Sequence, residues 1–153
     1  MHVVGIITCG YHIPFCRVER EKISQAWDRR AGKGERAAVY FDEDALTLGL
    51  EAVQRCIEEQ GKAGIDGLYF ASTSAPFWQR SSASLMVAAC DLAAECESAD
   101  FSGGLRSATS ALRAGVDALK SGRLSRVVIA AGDVRDGQPE ENEEEWFGDA
   151  GSA

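Results

Sequence analysis

The sequence lacks both a long apolar run and an excess of positive charge. Its 153 residues contain no stretch of the roughly 20 apolar residues that a membrane-spanning helix needs. Lys and Arg number 16 against 24 Asp and Glu, which gives a net charge of −8 and no basic face for nucleic acid. Residues 1–8 lack the basic segment and the length of a signal peptide. We therefore expect a cytoplasmic protein with no nucleic acid partner and no membrane partner.

Sequence motifs for metal ions and disulfides are also missing. The five cysteines form no Cys-x-x-Cys pair and no Cys2His2 spacing: Cys9, Cys16, Cys56, Cys90 and Cys96. An odd count in a cytoplasmic chain predicts free thiols, and Cys56 and Cys90 fall in apolar helical patterns that predict buried side chains. The acidic residues between 136 and 149 crowd one segment, which predicts a solvated surface without a metal site.

What the sequence does contain is an alternation of apolar strands and amphipathic helices. Strands are predicted at residues 3–8, 65–71, 98–101 and 126–131, and 150–153 resembles the entry to a further strand. Helices are predicted at 18–27, 81–94 and 103–120, and from an N-cap at Asp42 to about Gly61. Continuous apolar strands between helices predict an α/β fold with a mostly parallel buried sheet and helices on both faces.

The most informative motif is Asp-Phe-Ser-Gly-Gly-Leu-Arg-Ser-Ala-Thr-Ser-Ala-Leu at residues 100–112, where a short strand ends and a small-residue helix begins. It resembles the nucleophile turn of the thiolase superfamily, in the branch of hydroxymethylglutaryl-CoA synthases and ketoacyl synthase III. Residues 10–23, 41–53 and 147–153 resemble three further segments of that branch, in the same order. The resemblance implies that residues 1–153 form the N-terminal domain of a thiolase-like protein, truncated so that the C-terminal half is absent.

Two catalytic positions of this family carry other residues here. The resemblance implies an acyl-accepting cysteine five residues after Asp100, and this position is Leu105. It also implies a general acid/base glutamate in the loop after the second strand, and the matching position is Thr73. The family's catalytic histidine comes from the C-terminal half, and we interpret His12 as a loop residue with local contacts. The catalytic residues therefore stay unknown, and we expect the 153-residue chain alone to be inactive.

Three other side chains are candidates for substrate binding. Arg106 could contact a coenzyme A phosphate or a substrate carboxylate, or form an intramolecular salt bridge. Phe77 and Trp78 could line an acyl tunnel or fill a subunit interface, and the family resemblance favours the interface.

The resemblance leads to two hypotheses on function. In the first, the parent protein is an acyltransferase or lyase that makes or breaks a carbon–carbon bond next to a coenzyme A thioester. The absence of the cysteine favours an aldol or retro-aldol reaction over a Claisen condensation, with acyl-CoA as substrate and no covalently bound cofactor. In the second, the chain is a non-catalytic subunit that pairs with an active partner or with an acyl-CoA-binding OB-fold protein.

The expected partners are accordingly acyl-CoA and either a second copy of the chain or an OB-fold/zinc-ribbon protein. A third class, a nucleotide-binding α/β domain, would need a glycine-rich loop after the first strand, which residues 8–12 do not supply.

Overall fold

The computed structural model describes residues 3–30 and 32–153, and within them the chain forms a mixed sheet flanked by helices. The elements, in chain order, are β1 (Tyr11–His12), β2 (Arg17–Glu19), α1 (Arg20–Ala26), β3 (Glu35–Ala37), α2 (Ala45–Gln60), β4 (Gly67–Ala71), α3 (Ser82–Ala89), β5 (Glu97–Phe101), α4 (Ser107–Lys120), β6 (Val127–Asp133), α5 (Asn142–Trp146) and β7 (Ala150–Ser152).

Five of the strands form the main sheet, in the order β1-β7-β6-β4-β5. Strand β4 pairs in parallel with β5 on one edge and with β6 on the other. Strand β7 lies antiparallel to both β6 and β1, so the other four strands all run in one direction. The predicted α/β fold with a mostly parallel sheet is confirmed. Strands β2 and β3 form a separate antiparallel pair.

Helices cover both faces of this sheet, as predicted. Alternate residues of each strand point to opposite faces, so β4 contributes to two apolar clusters. Leu68 and Phe70 pack on one face with side chains of α2 and α3, including Val53 and Met86. Tyr69 and Ala71 pack on the other face with side chains of α4.

Helix α2 lies directly on the backbone of β6 and β7. A Cβ atom added to Gly132 would lie 2.1 Å from the carbonyl oxygen of Ala45, and one added to Gly151 would lie 2.0 Å from that of Leu48. Gly132 and Gly151 are partners across the β6–β7 ladder. The two glycines therefore remove side chains where the helix backbone meets the sheet, and any larger residue there would force the layers apart.

The start of α2 corrects one detail of the prediction. Asp44, and not Asp42, is the N-cap: its side chain accepts a hydrogen bond from Thr47 N, while Thr47 Oγ1 accepts one from Asp44 N. This reciprocal capping box satisfies two amide groups that a helix start leaves open. The predicted end at Gly61 is confirmed, since Gly61 is the C-cap.

The predicted strand at residues 3–8 is wrong. These residues form no ladder, and Val3, Ile6 and Ile7 are exposed. The strand in this part of the chain is Tyr11–His12 instead, because these two residues pair with Ser152 and Gly151 of β7. An apolar, β-branched run forms a strand only where a neighbour accepts its backbone hydrogen bonds.

Other boundaries also differ from the predictions. Strands β2 and β3 and helix α5 were not predicted, and the helix predicted at 18–27 begins at Arg20 because residues 17–19 form a strand. Helix α3 ends at Ala89, five residues before the predicted end, because Asp91 adopts a positive φ of 49°. Asp tolerates this left-handed conformation and ends helices there.

The acidic segment is not uniformly solvated, which corrects that prediction. Asp149 is buried, and its carboxylate accepts hydrogen bonds from Val39 N at 2.8 Å and from Arg135 N at 2.7 Å. Glu144 accepts a hydrogen bond from the indole of Trp27 at 2.8 Å. These two acids hold the segment against the body of the domain.

Two features are absent from the described residues, a membrane-spanning helix and a metal-binding cluster. No helix is long and apolar enough to cross a membrane. No group of three or more His, Cys, Asp or Glu side chains within residues 3–30 and 32–153 is arranged to hold a metal ion.

Candidate functional site

The candidate site lies at the carboxyl ends of three parallel strands. The loops that leave β4, β5 and β6 begin at Ser72, Ser102 and Val134, and the ladder registers place the ends of these strands side by side. Ligand sites of open α/β sheets form outside this edge. The candidate residues from the sequence, Thr73, Phe77, Trp78, Leu105 and Arg106, fall in the first two of these loops.

The turn before α4 presents Leu105 to solvent. Gly103 has a φ of 89°, a left-handed conformation that favours glycine. Ser107 closes the turn, because its amide and its hydroxyl both donate to the carbonyl oxygen of Gly104, at 3.0 and 2.6 Å. Helix α4 therefore begins at Ser107, later than the predicted residue 103. Leu105 is 83% exposed at the tip of this turn, an unfavourable place for an apolar side chain in an isolated domain.

Arg106 follows Leu105 and is also exposed. It is the N-cap residue of α4, without a side-chain capping hydrogen bond. Within the part of the chain that the structure describes, the five ion pairs involve other residues, so the intramolecular salt bridge that was considered for Arg106 does not form.

Thr73 is bound to a carboxylate that the sequence reasoning missed. One oxygen of Asp133, Oδ1, accepts hydrogen bonds from Thr73 N at 2.7 Å and from Thr73 Oγ1 at 2.9 Å. The hydroxyls of Ser72 and Ser74 donate to the same oxygen, each at 3.2 Å. The Ser-Thr-Ser loop thus wraps one oxygen of Asp133, while Oδ2 lies 3.8 Å from Nη2 of Arg135.

A signal for Asp133 was present in the sequence. It is an acidic residue directly after an apolar strand, and the carboxyl end of a parallel strand is where functional side chains collect. The predicted strand ended at residue 131, so the Asp was counted with the loop. In the structure β6 extends to Asp133, because Gly132 and Asp133 pair with Gly151 and Ala150 of β7, beyond the end of the ladder to β4.

Phe77 and Trp78 line a cavity of about 270 Å³ together with Ser102, the first residue of the turn before α4. Trp78 is fully exposed, Phe77 is partly so, and the guanidinium of Arg80 lies 5.5 Å from the centre of the Phe77 ring. The cavity brings these two aromatic residues next to the nucleophile turn, whereas Leu105 and Arg106 are not part of its lining.

Asp100, the first residue of the motif, has a structural role. Its carboxylate accepts hydrogen bonds from the amides of Ser82 and Ala83, at 3.0 and 2.8 Å, in the first turn of α3. Asp100 therefore joins the end of β5 to the start of α3, and Asp100 and Ser82 both lie in the wall of the cavity.

The cysteines and His12 lie away from this site. All five thiols are free, as predicted; Cys56 is buried as expected, and Cys90 is half-buried. Burial raises the pKa of the thiols of Cys56, Cys90 and Cys96, so they are poor nucleophiles at neutral pH. His12 lies in β1, where its ring contacts Glu43 at 3.4 Å and Arg55 at 3.2 Å, which agrees with a local role.

Comparison with known proteins connects this geometry to one superfamily. No family profile matches the chain. The hydroxymethylglutaryl-CoA synthase of Pyrococcus furiosus is 30% identical over 159 aligned positions, which cover 100% of this chain and 45% of that protein. The synthase of Pyrobaculum aerophilum is 25% identical, over 93% of this chain and 43% of that protein. The chain thus spans about half the length of the curated relatives it matches.

Solved structures agree on the fold. A 3-oxoacyl-(acyl-carrier-protein) synthase III superposes with a TM-score of 0.87 at 18% identity, over 96% of this chain and 48% of that one. The corresponding enzyme of Thermus thermophilus gives 0.86 at 20% identity, over 97% and 50%. The hydroxymethylglutaryl synthase of the curacin pathway, in complex with an acetyl donor carrier protein, gives 0.84 at 18%, over 97% and 39%. Over its whole length the chain is similar in sequence to part of the hydroxymethylglutaryl-CoA synthases, and it has the fold of a half-sized thiolase-like domain.

Proposed function

We propose that the chain is the N-terminal domain of a protein that makes or breaks a carbon–carbon bond next to a coenzyme A thioester, without forming an acyl-enzyme. The observation that carries this proposal is Leu105. It occupies the tip of the turn before α4, where the resemblance implies an acyl-accepting cysteine, and a leucine can neither attack a thioester nor carry an acyl group. The similarity to hydroxymethylglutaryl-CoA synthases supports an acyl-CoA substrate.

An aldol or retro-aldol reaction needs no such nucleophile. In the retro-aldol direction a base takes the proton of the 3-hydroxyl group, and the bond between C2 and C3 breaks. The bonding electrons pass into the thioester carbonyl to give an enolate, and C2 is then protonated. The acyl group stays on coenzyme A throughout. The demands on the protein are a general base and groups that stabilise the enolate oxygen.

Asp133 is our candidate for the acid/base group. Four hydrogen bonds from Ser72, Thr73 and Ser74 fix its Oδ1, so the carboxylate has one orientation. Its Oδ2 lies 3.8 Å from Nη2 of Arg135, and we propose that this oxygen exchanges the proton with the substrate. Asp133 lies beside Thr73, the position at which the resemblance implies a glutamate. In this proposal Asp133 supplies the carboxylate from the neighbouring strand, and the Ser-Thr-Ser loop positions it.

Arg106, Phe77 and Trp78 are the proposed contacts to the substrate. The exposed guanidinium of Arg106 suits a coenzyme A phosphate. Phe77 and Trp78 offer an apolar wall for an acyl chain in the cavity beside the turn. The free thiols fit a reducing compartment, so we place this reaction in the cytoplasm. The catalytic histidine expected from the resemblance would come from residues outside this chain, so the chain alone should bind substrate without turning it over.

The test compares the 153-residue chain with the natural polypeptide that contains it. Each is incubated with acetyl-CoA, acetoacetyl-CoA and 3-hydroxy-3-methylglutaryl-CoA, and thioester products and protein mass are followed by mass spectrometry. We expect turnover by the longer polypeptide, no covalent acyl group on either, and at least a 100-fold loss with Asp133→Asn. The matched control is Asp136→Asn, an exposed acid of the loop that follows β6. A mass increase of one acyl group would overturn the mechanism.

A second candidate function is that of a non-catalytic subunit. It is favoured by the apolar surface at the site, where Trp78 is fully exposed and Leu105 nearly so. Exposed aromatic and aliphatic side chains in one region are typical of protein contacts. A second copy, an active thiolase-fold subunit or an OB-fold/zinc-ribbon protein would then cover them. Acyl-CoA binding without turnover in the natural polypeptide, together with loss of its assembly in Trp78→Ala, would favour this function over the first.

A further inference from the structure

Arg135 lies two residues after Asp133, at the start of the loop that follows β6. Side chains two positions apart in an extended chain point to the same face. The guanidinium of Arg135 accordingly lies next to the candidate acid/base group, with its Nη2 3.8 Å from Asp133 Oδ2. This separation is an ion pair without a direct hydrogen bond. The proposed reaction uses Asp133 and leaves Arg135 without a role.

The main chain of Arg135 is fixed on both sides. Its amide donates a hydrogen bond to Asp149 Oδ1 at 2.7 Å, and its carbonyl oxygen accepts one from Nη2 of Arg36 at 3.3 Å. Arg36 is itself anchored, because its Nη1 donates to the carbonyl oxygen of Glu144 at 2.7 Å. The guanidinium of Arg135 lies 5.9 Å from the centre of the Phe147 ring. A side chain held in this way loses little conformational freedom when it binds a ligand.

The guanidinium of Arg135 keeps donors that the described residues do not use. A guanidinium carries five N–H groups. Within residues 3–30 and 32–153 those of Arg135 form no hydrogen bond, and Asp133 is its ion-pair partner. The side chains of Arg135 and Asp133 are 30% and 35% exposed, so a ligand from solvent can reach both groups at once.

The two other acids that pack around this loop are bound elsewhere. Both carboxylate oxygens of Asp149 accept backbone amides. Oε2 of Glu144 accepts hydrogen bonds from the indole of Trp27 and from a backbone amide. Asp133 alone would repel a second carboxylate, but the positive charge of Arg135 beside it offsets that repulsion. The pair can therefore accept an anionic ligand.

We propose that Arg135 determines substrate specificity by binding a carboxylate at the far end of the acyl group. The inference rests on the proposed function, in which Asp133 Oδ2 takes the proton of the 3-hydroxyl group. In a 3-hydroxyacyl thioester with a carboxylate on C4, one methylene separates that carboxylate from the carbon that bears the hydroxyl. Two protein groups 3.8 Å apart can therefore bind one each, the hydroxyl on Asp133 and the carboxylate on Arg135.

The position of Arg135 selects an acyl carboxylate over a coenzyme A phosphate. A guanidinium beside the oxygen that takes the proton is close to C3 of the substrate, whereas the phosphates lie beyond the whole pantetheine arm. A planar guanidinium also suits a planar carboxylate, which it binds through two parallel hydrogen bonds. The selected substrate is thus a 3-hydroxyacyl thioester with a free carboxylate.

The test measures binding to the natural polypeptide that contains this chain, with two coenzyme A thioethers that cannot react. In both, a methylene replaces the thioester carbonyl and the 3-hydroxy-3-methyl centre is kept. One analogue ends in a carboxylate and the other in the matching carboxamide. Calorimetry gives both Kd values for each variant. We expect the wild type to prefer the carboxylate by about 10-fold or more, the effect of one charge-assisted contact.

Substitutions of Arg135 should act on the carboxylate analogue alone. Arg135→Gln should weaken its binding by about 10-fold or more. The affinity for the carboxamide should stay nearly unchanged, which also shows that the variant is folded. Arg135→Lys keeps the charge without the planar fork and should restore part of the preference.

Two control variants separate this role from other effects of charge. Arg106→Gln should weaken both analogues by the same factor, because both carry the same coenzyme A phosphates. Arg113→Gln removes one positive charge from an exposed position of α4 and should leave both Kd values unchanged.

The outcomes distinguish this inference from the proposed function. Equal affinity of the wild type for the two analogues, or a preference that persists in Arg135→Gln, would overturn the role of Arg135 and leave the proposed function intact. Equal weakening of both analogues by Arg135→Gln would make it a positioning residue and overturn the inference. Binding of neither analogue would overturn both proposals. A preference that depends on Arg135, in a polypeptide that turns over no thioester, would support the inference and contradict the catalytic function.

Discussion

Strands β4 and β6 lie side by side and have similar apolar sequences, yet they differ in burial. All five residues of β4, Gly67–Ala71, are buried. In β6 only Ala130 and Gly132 are, and the three β-branched residues Val127–Ile129 are half-buried. The difference follows from their neighbours: β4 is paired along both edges, whereas residues 127–130 of β6 are paired along one.

The comparison shows that an apolar strand in this fold acquires its full core environment from the strand beside it. Strand β4 lies between two neighbouring strands, whereas an apolar groove of about 450 Å³ lies beside Val127–Ile129 in the first half of β6. Four predictions test this difference, from the largest expected effect to the smallest.

The first prediction compares two substitutions, one in β4 and one in β6, that remove the same number of side-chain atoms. Leu68→Ala in β4 should lower the free energy of unfolding by about 2–5 kcal/mol, because Leu68 is fully buried and leaves a cavity. Ile129→Ala in β6 should cost about 1–2 kcal/mol, since its side chain already contacts the groove and water. Urea denaturation of both variants measures the two losses. Equal losses would contradict the proposed difference between the strands.

The second prediction concerns the half of β6 that pairs with β7, at the contact between Gly132 and Gly151. Gly151→Ala should destabilise the domain by about 1–3 kcal/mol, because the added Cβ would lie 2.0 Å from the carbonyl oxygen of Leu48 and force α2 away from β7. Gly104→Ala is the matched control, since a Cβ there meets no atom within 4 Å. Thermal unfolding should separate the two, and an unchanged melting temperature for Gly151→Ala would contradict the close packing of α2.

The third prediction concerns the buried carboxylate that leads into β7. Asp149→Asn should cost about 1–3 kcal/mol, because both carboxylate oxygens accept backbone amides and the Asn NH2 group would face one of these donors. The control is Asp136→Asn at an exposed acid. Denaturant unfolding checks both. A loss below about 0.5 kcal/mol for Asp149→Asn would show that the two hydrogen bonds do not hold the entry to β7.

The fourth prediction concerns the ladder between β4 and β5, in which every residue of β4 is paired. Hydrogen bonds from Tyr69 and Arg123 lower the pKa of Glu97. A lowered folded-state pKa gives stability that is present above the usual glutamate pKa of about 4.3 and is lost as the pH falls through the folded value. Because the group is about one-third exposed, the effect should stay below about 1 kcal/mol.

Glu97→Gln should therefore lower stability slightly at pH 7 and flatten the dependence of stability on pH below about 5. Unfolding midpoints measured between pH 3 and 7, with Glu95→Gln as an exposed control, check this. A wild-type slope that persists in Glu97→Gln would assign the acid sensitivity to other carboxylates.

The sequence by itself determined the order of the main elements, the fold class and the resemblance to hydroxymethylglutaryl-CoA synthases. Continuous apolar runs and helices with one apolar face are local patterns, and they predicted β4, β5, β6, α2 and α4 to within a few residues. The motif at residues 100–112 predicted the turn before α4, since glycines and small residues there have direct conformational consequences. The replacement of the family's cysteine by Leu105 was visible without any structure.

Tertiary structure alone decided which apolar segments became strands and which acids became part of the site. Residues 3–8 have the composition of a strand but lack a partner, and pairing depends on residues distant in sequence. Asp133 and Thr73 are 60 positions apart, and only the parallel pairing of β4 with β6 brings the carboxylate to the loop. Asp149 likewise looked like one more surface acid, but it is buried because amides from Val39 and Arg135 converge on it. The local sequence pattern determines whether a segment favours a helix or a strand. Burial, strand pairing and side-chain hydrogen bonding depend on residues that are distant in sequence and meet only when the chain folds.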